Sequence, residues 1–226
     1  MKRRTAKTWG ELKDMRMTAV MWGSYSPILK RAAAATGCTL RIFPNRVLED
    51  YPEKMDDALR AMRESDIVLL YHTSDMFWEC LDKEIQEIRK TVPVICLGTD
   101  PLTWGLSTVE TPVVATCQTY LTNNGEENFK NLLLYIEKTV LGRDVTVIPP
   151  IPVPWDGLYH PDAPEVFLTA GDYRAWYAPR ARDGPWVAVL FSRVAWASSN
   201  CSIEDALIRA LEEAGLNVIP VFTYSI

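Results

Sequence analysis

Several kinds of segment are missing from this chain of 226 residues. No apolar run approaches the roughly 20 residues that a membrane helix needs, and no apolar signal core follows the basic start Met1 to Lys7. Lys and Arg number 24 against 29 Asp and Glu, and no basic stripe with interleaved aromatic residues occurs. We therefore expect a cytoplasmic protein with no membrane span and no nucleic-acid partner.

Signatures for metals and phosphates are missing as well. The only histidines are His72 and His160, and the five cysteines are scattered, odd in number and never paired at metal-ligand spacing. Neither GxGxxG nor GxxxxGK[ST] occurs, and no Ser/His/Asp or Cys/His arrangement suggests a catalytic residue. The sequence therefore predicts no metal site, no cofactor and no catalytic group in this chain, with the cysteines serving as small apolar fillers.

What is present in the first 142 residues is an alternation of strand-like and helix-like patterns. Apolar runs predict strands over residues 18–22, 39–43, 66–71 and 92–97. Apolar periodicity predicts helices over residues 26–35, 53–64 and 126–141, and a further helix after Ser74 or Asp75, with Asn124 as a cap for the last of them. Residues 112–120 are ambiguous between strand and helix, and we favour helix. Such an alternation predicts a mostly parallel α/β sheet, Rossmann-like or flavodoxin-like, over residues 1–142.

The rest of the chain is predicted as a connector and the start of a second unit. Prolines crowd residues 148–164, which excludes regular structure there and favours extended conformations. Residues 143–184 are therefore predicted to form a stiff connector, with a short helix near 171–177. Residues 186–200 predict a strand covered on both faces that leads into a polar loop. A helix over 203–214 and a strand over 216–222 complete the first β-α-β of a second α/β unit, residues 185–226.

This later part of the chain resembles the large subunit of the cobaltochelatase and magnesium chelatase H family. The matching segments are Pro154 to Pro164, Val187 to Asn200 and Asp205 to Phe222, and the helix start Asn124 to Leu133 is also similar. The family usually has Phe-Tyr-Arg-Ser-His-Trp where this chain has Phe191 to Trp196, so that Ser192 and Ala195 replace a tyrosine and a histidine. The family's large subunit is far longer, and this chain looks like its amino-terminal portion.

The resemblance implies a part in the ATP-dependent insertion of cobalt or magnesium into a corrin or porphyrin precursor, a ligase reaction that forms nitrogen–metal bonds. In that family the large subunit binds the tetrapyrrole, while AAA-type and integrin-like partner subunits use ATP and Mg²⁺. The missing phosphate loop agrees with that division of labour. This segment alone is therefore expected to be non-catalytic.

Six residues are candidate tetrapyrrole contacts: Arg193, Trp196, Asn200, His160, Tyr159 and His72. Arg193 offers several donors to a carboxylate or amide carbonyl, Trp196 a flat face for stacking, and Asn200 both a donor and an acceptor. Structural roles stay open beside these. Arg193 could pair with a carboxylate of the first domain, Trp196 could be packing, and Asn200 could cap the helix that follows.

Two other functions remain in view. The chain could be a non-enzymatic α/β scaffold or ligand-sensing module that docks partner subunits through the loops at the sheet's carboxyl edge. A flavodoxin-like redox domain is a third possibility, although a recognisable phosphate loop is missing.

Overall fold

A computed structural model describes residues 14–224 of the chain, so the basic start Met1 to Lys7 lies outside the described residues. The strands are β1 (Arg16–Met21), β2 (Thr39–Pro44), β3 (Ile67–His72), β4 (Val94–Gly98), β5 (Asp156–Leu158), β6 (Trp186–Ser192) and β7 (Asn217–Thr223). The helices are α1 (Ser26–Thr36), α2 (Asn45–Asp50), α3 (Lys54–Arg63), α4 (Trp78–Ile88), α5 (Thr111–Asn123), α6 (Glu126–Val140), α7 (Ala170–Tyr177), α8 (Arg193–Ala197) and α9 (Ser202–Glu213). Within residues 14–224 no helix is long and apolar enough to cross a membrane.

The first four strands form one parallel sheet in the order β2-β1-β3-β4. Helices α1, α5 and α6 cover one face, where Met17, Ala19 and Met21 point into a shared apolar core. Helices α3 and α4 cover the other face, where Val68 and Leu70 lie. The predicted α/β class is therefore confirmed, and the ambiguous residues 112–120 are helical, as favoured.

Two predicted helix caps are wrong. Helix α4 begins at Trp78 rather than beside Ser74 or Asp75, and no side chain caps it. Helix α6 likewise has no side-chain cap, because the side-chain oxygen of Asn124 accepts a hydrogen bond from the N–H of its neighbour Gly125 instead. Asn124 itself has a φ of 63° and a ψ of −167°, a combination outside the left-handed helical region that is adopted mainly by glycine.

Two buried asparagines of α6 fix the path of the connector. Asn128 is 2% exposed, donates to the carbonyl of Ile151 (2.9 Å) and accepts from the N–H of the same residue (2.8 Å). Asn131 is 3% exposed and accepts from the N–H of Ile148 (2.8 Å), whose carbonyl accepts from the Tyr120 hydroxyl (2.6 Å). The backbone groups of the connector thus bind to side chains of α6.

The second sheet has the order β5-β7-β6, with β6 parallel and β5 antiparallel to β7. The prediction that prolines exclude regular structure from residues 148–164 is therefore wrong at β5. This strand lies against a core aromatic, because a Cβ at Gly157 would be 2.7 Å from Cζ of Phe222. Only a glycine permits that approach.

The prediction that β6 is covered on both faces is also wrong for the described residues. Its side chains alternate, with Phe191 buried (5% exposed) but Trp186 and Leu190 exposed by 41% and 59%. On the face of the sheet that carries Trp186 and Leu190, helix α7 covers β7, where Tyr173 and Tyr177 pack on Ile219 and Val221. It therefore leaves the outer face of β6 open.

Candidate functional site

A cavity of about 390 Å³ lies where β6 ends, between α8 and the start of α9. Its lining residues are Tyr159, Trp196, Ser199, Asn200, Cys201, Ser202 and Asp205. Three of the six residues predicted from the sequence, Tyr159, Trp196 and Asn200, are therefore brought together. This position, past the carboxyl end of a parallel strand, is where ligands meet open α/β sheets.

Trp196 lies on a short helix and not in the polar loop that the sequence predicted. The hydroxyl of Ser192 accepts a hydrogen bond from the N–H of Val194 (3.2 Å) and so begins α8. The Trp196 ring stacks on Phe222, with ring centroids 4.1 Å apart and planes at 12°. One face of the indole is therefore committed to the core, while the side chain still lines the cavity.

Asn200 follows the turn between α8 and α9. Ser199 makes this turn with a φ of 54°, and the N–H of Asn200 then donates to the carbonyl of Ala195 (2.8 Å). Helix α9 starts after Cys201 without a side-chain cap, so Asn200 does not cap it. The Asn200 side chain is exposed and faces the cavity that it lines.

The opposite wall joins two polar groups that are far apart in the sequence. The Tyr159 hydroxyl donates to Oδ1 of Asp205 at 2.8 Å. Burial, together with this hydrogen bond, raises the pKa of Tyr159, so the phenol is neutral at physiological pH. Burial also raises the pKa of the Cys201 thiol to about 12, which makes it a poor nucleophile.

Sequence reasoning named Tyr159 but missed Asp205 as part of this wall. The two residues are 46 positions apart, and no local pattern connects them. The available signal was the acidic first turn of α9, which on its own is explained by the helix dipole.

Arg193 is the first residue of α8, and its side chain is buried (1% exposed). Its guanidinium donates to four backbone carbonyls: Pro154 (2.6 Å), Thr122 (2.9 Å), Asn123 (2.8 Å) and Val153 (3.1 Å). It also lies 5.0 Å from the centre of the Trp155 ring. Because two of these carbonyls end helix α5, the cation meets the negative end of that helix. Burial lowers the pKa of Arg193.

Arg193 therefore joins the first unit, the connector and the second unit at one point. A carboxylate partner from the first domain, the alternative considered from the sequence, is replaced by backbone carbonyls. A tetrapyrrole contact by Arg193 stays a prediction, although four hydrogen bonds already engage its donors.

His160 is buried away from the cavity and is 1% exposed. Its Nδ1 accepts from the N–H of Asp162 (3.1 Å), so the ring proton is on Nε2, which lies 3.1 Å from Oε1 of Glu212. The Tyr177 hydroxyl donates to the same oxygen (2.8 Å). The centroid of the Trp176 ring lies 5.0 Å from that of the His160 ring. A ligand role for His160 stays a prediction.

His72 lies in the first unit, at the carboxyl end of β3, and does not line this cavity. Its ring stacks on Trp78 (4.3 Å between centroids), and its Nε2 lies 3.2 Å from Oδ2 of Asp82. A tetrapyrrole contact by His72 also stays a prediction. Among residues 14–224 no group of three His, Cys, Asp or Glu side chains is arranged to hold a metal ion.

Comparison with known proteins adds a decisive observation for the later half of the chain. Residues 118–226 match the family model described as CobN/Magnesium Chelatase. This half of the chain belongs to the CobN/magnesium chelatase family. The family predicted from the sequence is thereby confirmed.

Individual relatives show how much of a protein this chain represents. An uncharacterized protein of Methanocaldococcus jannaschii, MJ1441, is 29% identical over 220 residues, which cover 93% of this chain and 15% of that protein. The H subunit of magnesium chelatase from Chlorobaculum parvum is 33% identical over 103 residues, which are 44% of this chain and 8% of that protein. The chain therefore spans less than a fifth of the length of either relative.

A solved structure supports the fold. The catalytic subunit of cobaltochelatase from Mycobacterium tuberculosis aligns with a TM-score of 0.58 and 22% identity, covering 94% of this chain and 16% of that one. At this identity the likeness shows the fold alone.

The residues matched to the CobN/magnesium chelatase family include the whole cavity. Tyr159, Trp196, Asn200, Arg193 and His160 lie within residues 118–226, whereas His72 lies outside them. The family match and the cavity therefore coincide in the same half of the chain.

Proposed function

We propose that this chain is the amino-terminal segment of the large, tetrapyrrole-binding subunit of an ATP-dependent cobalt or magnesium chelatase. The observation that carries the proposal is the match of residues 118–226 to the CobN/magnesium chelatase family, which includes every residue of the cavity after β6. The reaction would insert a divalent metal into a corrin or porphyrin precursor, with cobalt or magnesium as substrate.

In this proposal the cavity binds the edge of the macrocycle and not the whole ring. Its volume of about 390 Å³ is at the small end of the range of ligand pockets, about 300 to 1,000 Å³. Trp196 would present its indole to the flat ring, and the Asn200 amide would bond a peripheral carboxylate or amide group. The neutral Tyr159 hydroxyl adds no charge to the cavity, whereas the Asp205 carboxylate that accepts its hydrogen bond also lines the cavity and favours an amide over a carboxylate at this wall.

The chemistry of metal insertion would come from other parts of the assembly. As the family resemblance implies, the proposal assigns ATP hydrolysis to AAA-type and integrin-like partner subunits, and the absence of a phosphate-binding loop from this sequence is consistent with that assignment. The five scattered cysteines are free thiols where described, which fits a reducing cytoplasm.

An absorbance titration tests the proposal. The purified chain is titrated with hydrogenobyrinate diamide and, separately, with protoporphyrin, and we expect a saturable spectral change with one of them. Asn200→Ala should weaken binding by about tenfold, the loss of one good hydrogen bond to a charged group. Gln86→Ala, which removes an exposed amide from α4, is the matched control and should leave binding unchanged. The absence of a spectral change with either compound at high micromolar concentration would contradict direct binding.

A second candidate, a scaffold that docks partner subunits, is favoured by the apolar surface of the second unit. Leu190 on β6 and Ile203 on α9 are 59% and 79% exposed. Exposed apolar side chains of this size are common singly, but in this unit they recur on two elements. Co-purification with an AAA-type subunit, combined with a failed tetrapyrrole titration, would favour the scaffold.

A further inference from the structure

A second cavity, of about 520 Å³, lies at the carboxyl edge of the first sheet. Its chemically distinctive lining residues are Trp22, Asn45, Arg46, Glu49, Asp50 and Asp75. Trp22 follows β1, Asn45 follows β2, and Asp75 lies three residues after the end of β3. This edge is where parallel sheets bind ligands, and the cavity shares no residue with the site proposed for the tetrapyrrole.

Asn45 supplies an acceptor that nothing in the described chain uses. It is 3% exposed, and its Nδ2 donates to Oγ1 of Thr73 (2.9 Å) and to Oδ2 of Asp75 (3.2 Å). The Thr73 hydroxyl itself donates to Asp75 (2.6 Å) and accepts from the indole N–H of Trp78 (2.9 Å). These bonds fix the orientation of the amide, because the reverse orientation would place its oxygen against a carboxylate. Within residues 14–224 the Asn45 Oδ1 is buried and has no hydrogen-bond partner.

The charge around this acceptor is negative. The cavity is lined by the carboxylates of Glu49, Asp50 and Asp75 and by the single cation of Arg46, which leaves a formal balance of about −2 at neutral pH. The Arg46 guanidinium already faces Asp50, with Nε 3.3 Å from Oδ2. The cavity therefore favours a cationic guest over an anionic one.

An aromatic face completes the lining. Trp22 is 42% exposed, and its ring is held in place by edge contact with Tyr71 (5.1 Å between centroids) and by stacking near Tyr25 (6.2 Å). A fixed, accessible indole attracts a cation to its face.

We propose that this cavity binds a guanidinium group. A planar guanidinium can stack on Trp22 while its in-plane N–H groups donate to the Asp75 carboxylate and, after a rotation of the side chains that cover it, to Asn45 Oδ1. A compact ammonium lacks the plane that would serve both contacts at once. The group is carried either by a small free molecule or by an arginine side chain of another polypeptide.

An NMR titration of the full chain with N-methylguanidinium chloride at constant ionic strength tests the proposal. We expect saturable shifts of the Trp22 indole and Asn45 side-chain amide signals, with a dissociation constant on the order of millimolar. N-methylurea has a similar shape without the charge, and tetramethylammonium has the charge without N–H donors. Both should bind at least about fivefold more weakly.

Substitutions locate the site. Asp75→Asn and Trp22→Leu should each weaken binding by about fivefold, and Glu49→Gln, an exposed change less able to disturb folding, by about twofold. Glu79→Gln removes one carboxylate from the exposed surface of α4 and is the control that should bind as the unaltered chain does. Unsaturable shifts up to about 100 mM, equal binding of N-methylurea, or equal weakening by Glu79→Gln would each overturn the proposal.

A peptide identifies the source of the guanidinium. If acetyl-Ala-Arg-Ala-amide binds about tenfold more tightly than N-methylguanidinium, the site recognises an arginine of a polypeptide. Equal affinities would support a small free ligand. Because no tetrapyrrole is used, a negative result here leaves the chelatase proposal unaffected.

Discussion

Strands β1 and β6 begin equivalent β-α-β crossovers, yet they end up in different surroundings. Residues 17–21 of β1 are all buried, whereas Phe191 is the one buried residue of β6. Strand β1 has β2 on one side and β3 on the other, while in the described part of the chain β6 pairs with β7 alone. An apolar run therefore predicts a strand, but the burial of that strand depends on how many neighbours it has.

The largest expected effect on stability comes from replacing Arg193, which lies where the two units meet. Arg193→Met would leave four backbone carbonyls without their donor, and at about 1 kcal/mol for each bond we expect a loss of about 4 kcal/mol in the free energy of unfolding. Urea unfolding followed by circular dichroism and by tryptophan fluorescence measures it, and the two signals should cease to coincide as the units uncouple.

Arg209→Met is the matched control for that change. Arg209 is a half-exposed arginine of the same unit, paired with Asp162 at 2.9 Å, and because solvent weakens a surface pair of this kind, its loss should lower the free energy of unfolding far less than the loss of Arg193. Equal losses for the two variants would contradict the role given to Arg193.

The second-largest effect on stability is expected from replacing one leucine in each sheet. Leu69 in β3 is 0% exposed and Leu190 in β6 is 59% exposed. Leu69→Ala should lower the free energy of unfolding by about 3 kcal/mol, because it leaves a cavity, and Leu190→Ala by about 0.5 kcal/mol or less. Chemical denaturation measures both. A loss at Leu190 as large as that at Leu69 would mean that β6 is covered in the folded protein in solution.

The smallest effect is one of pH, and it has opposite signs in the two units. Burial raises the pKa of Glu137 in α6 above its ordinary value of 4.5, so the folded state holds a proton that the unfolded state has released. Its contribution to stability therefore falls as the pH rises above about 4.5. The hydrogen bond from Arg209 lowers the pKa of Asp162 below its ordinary value of 3.8, so that contribution is lost as the pH falls below about 3.8.

Unfolding curves between pH 3 and pH 7 for Glu137→Gln and Asp162→Asn check the two signs. The first substitution should flatten the decline above about pH 4.5, and the second should flatten the loss below about pH 3.8. The same change of slope in both variants would contradict the assignment.

Local patterns were sufficient to predict most of the first unit. Each of its four strands hydrogen-bonds neighbours on a regular parallel sheet, and the apolar runs that mark them lie within about two residues of the observed bounds. The caps failed because they depend on single hydrogen bonds. The side chain of Asn124 bonds Gly125, and that of Asp75 accepts from Thr73, so neither is available to a helix end.

The second unit was harder to predict because its decisive contacts are remote in sequence. Strand β5 has three residues, too few for a period, and exists through its pairing with β7, more than sixty residues later. Trp196 and Asn200, which line the cavity, could be named from the sequence because they follow β6 directly. The cavity wall of Tyr159 and Asp205 depends on tertiary packing alone, and so do the four hydrogen bonds from Arg193 to backbone carbonyls.

The asparagine contacts of α6 constrain the length of the connector more than its composition. The backbone N–H groups that they bind belong to Ile148 and Ile151, whereas Pro149, Pro150 and Pro152, which have no N–H, occupy positions where none is required. Side chains between residues 143 and 155 could therefore diverge widely during evolution without loss of the contact. Insertion or deletion of a single residue between the two isoleucines would shift one of them off its asparagine, so relatives that keep both asparagines should keep this spacing.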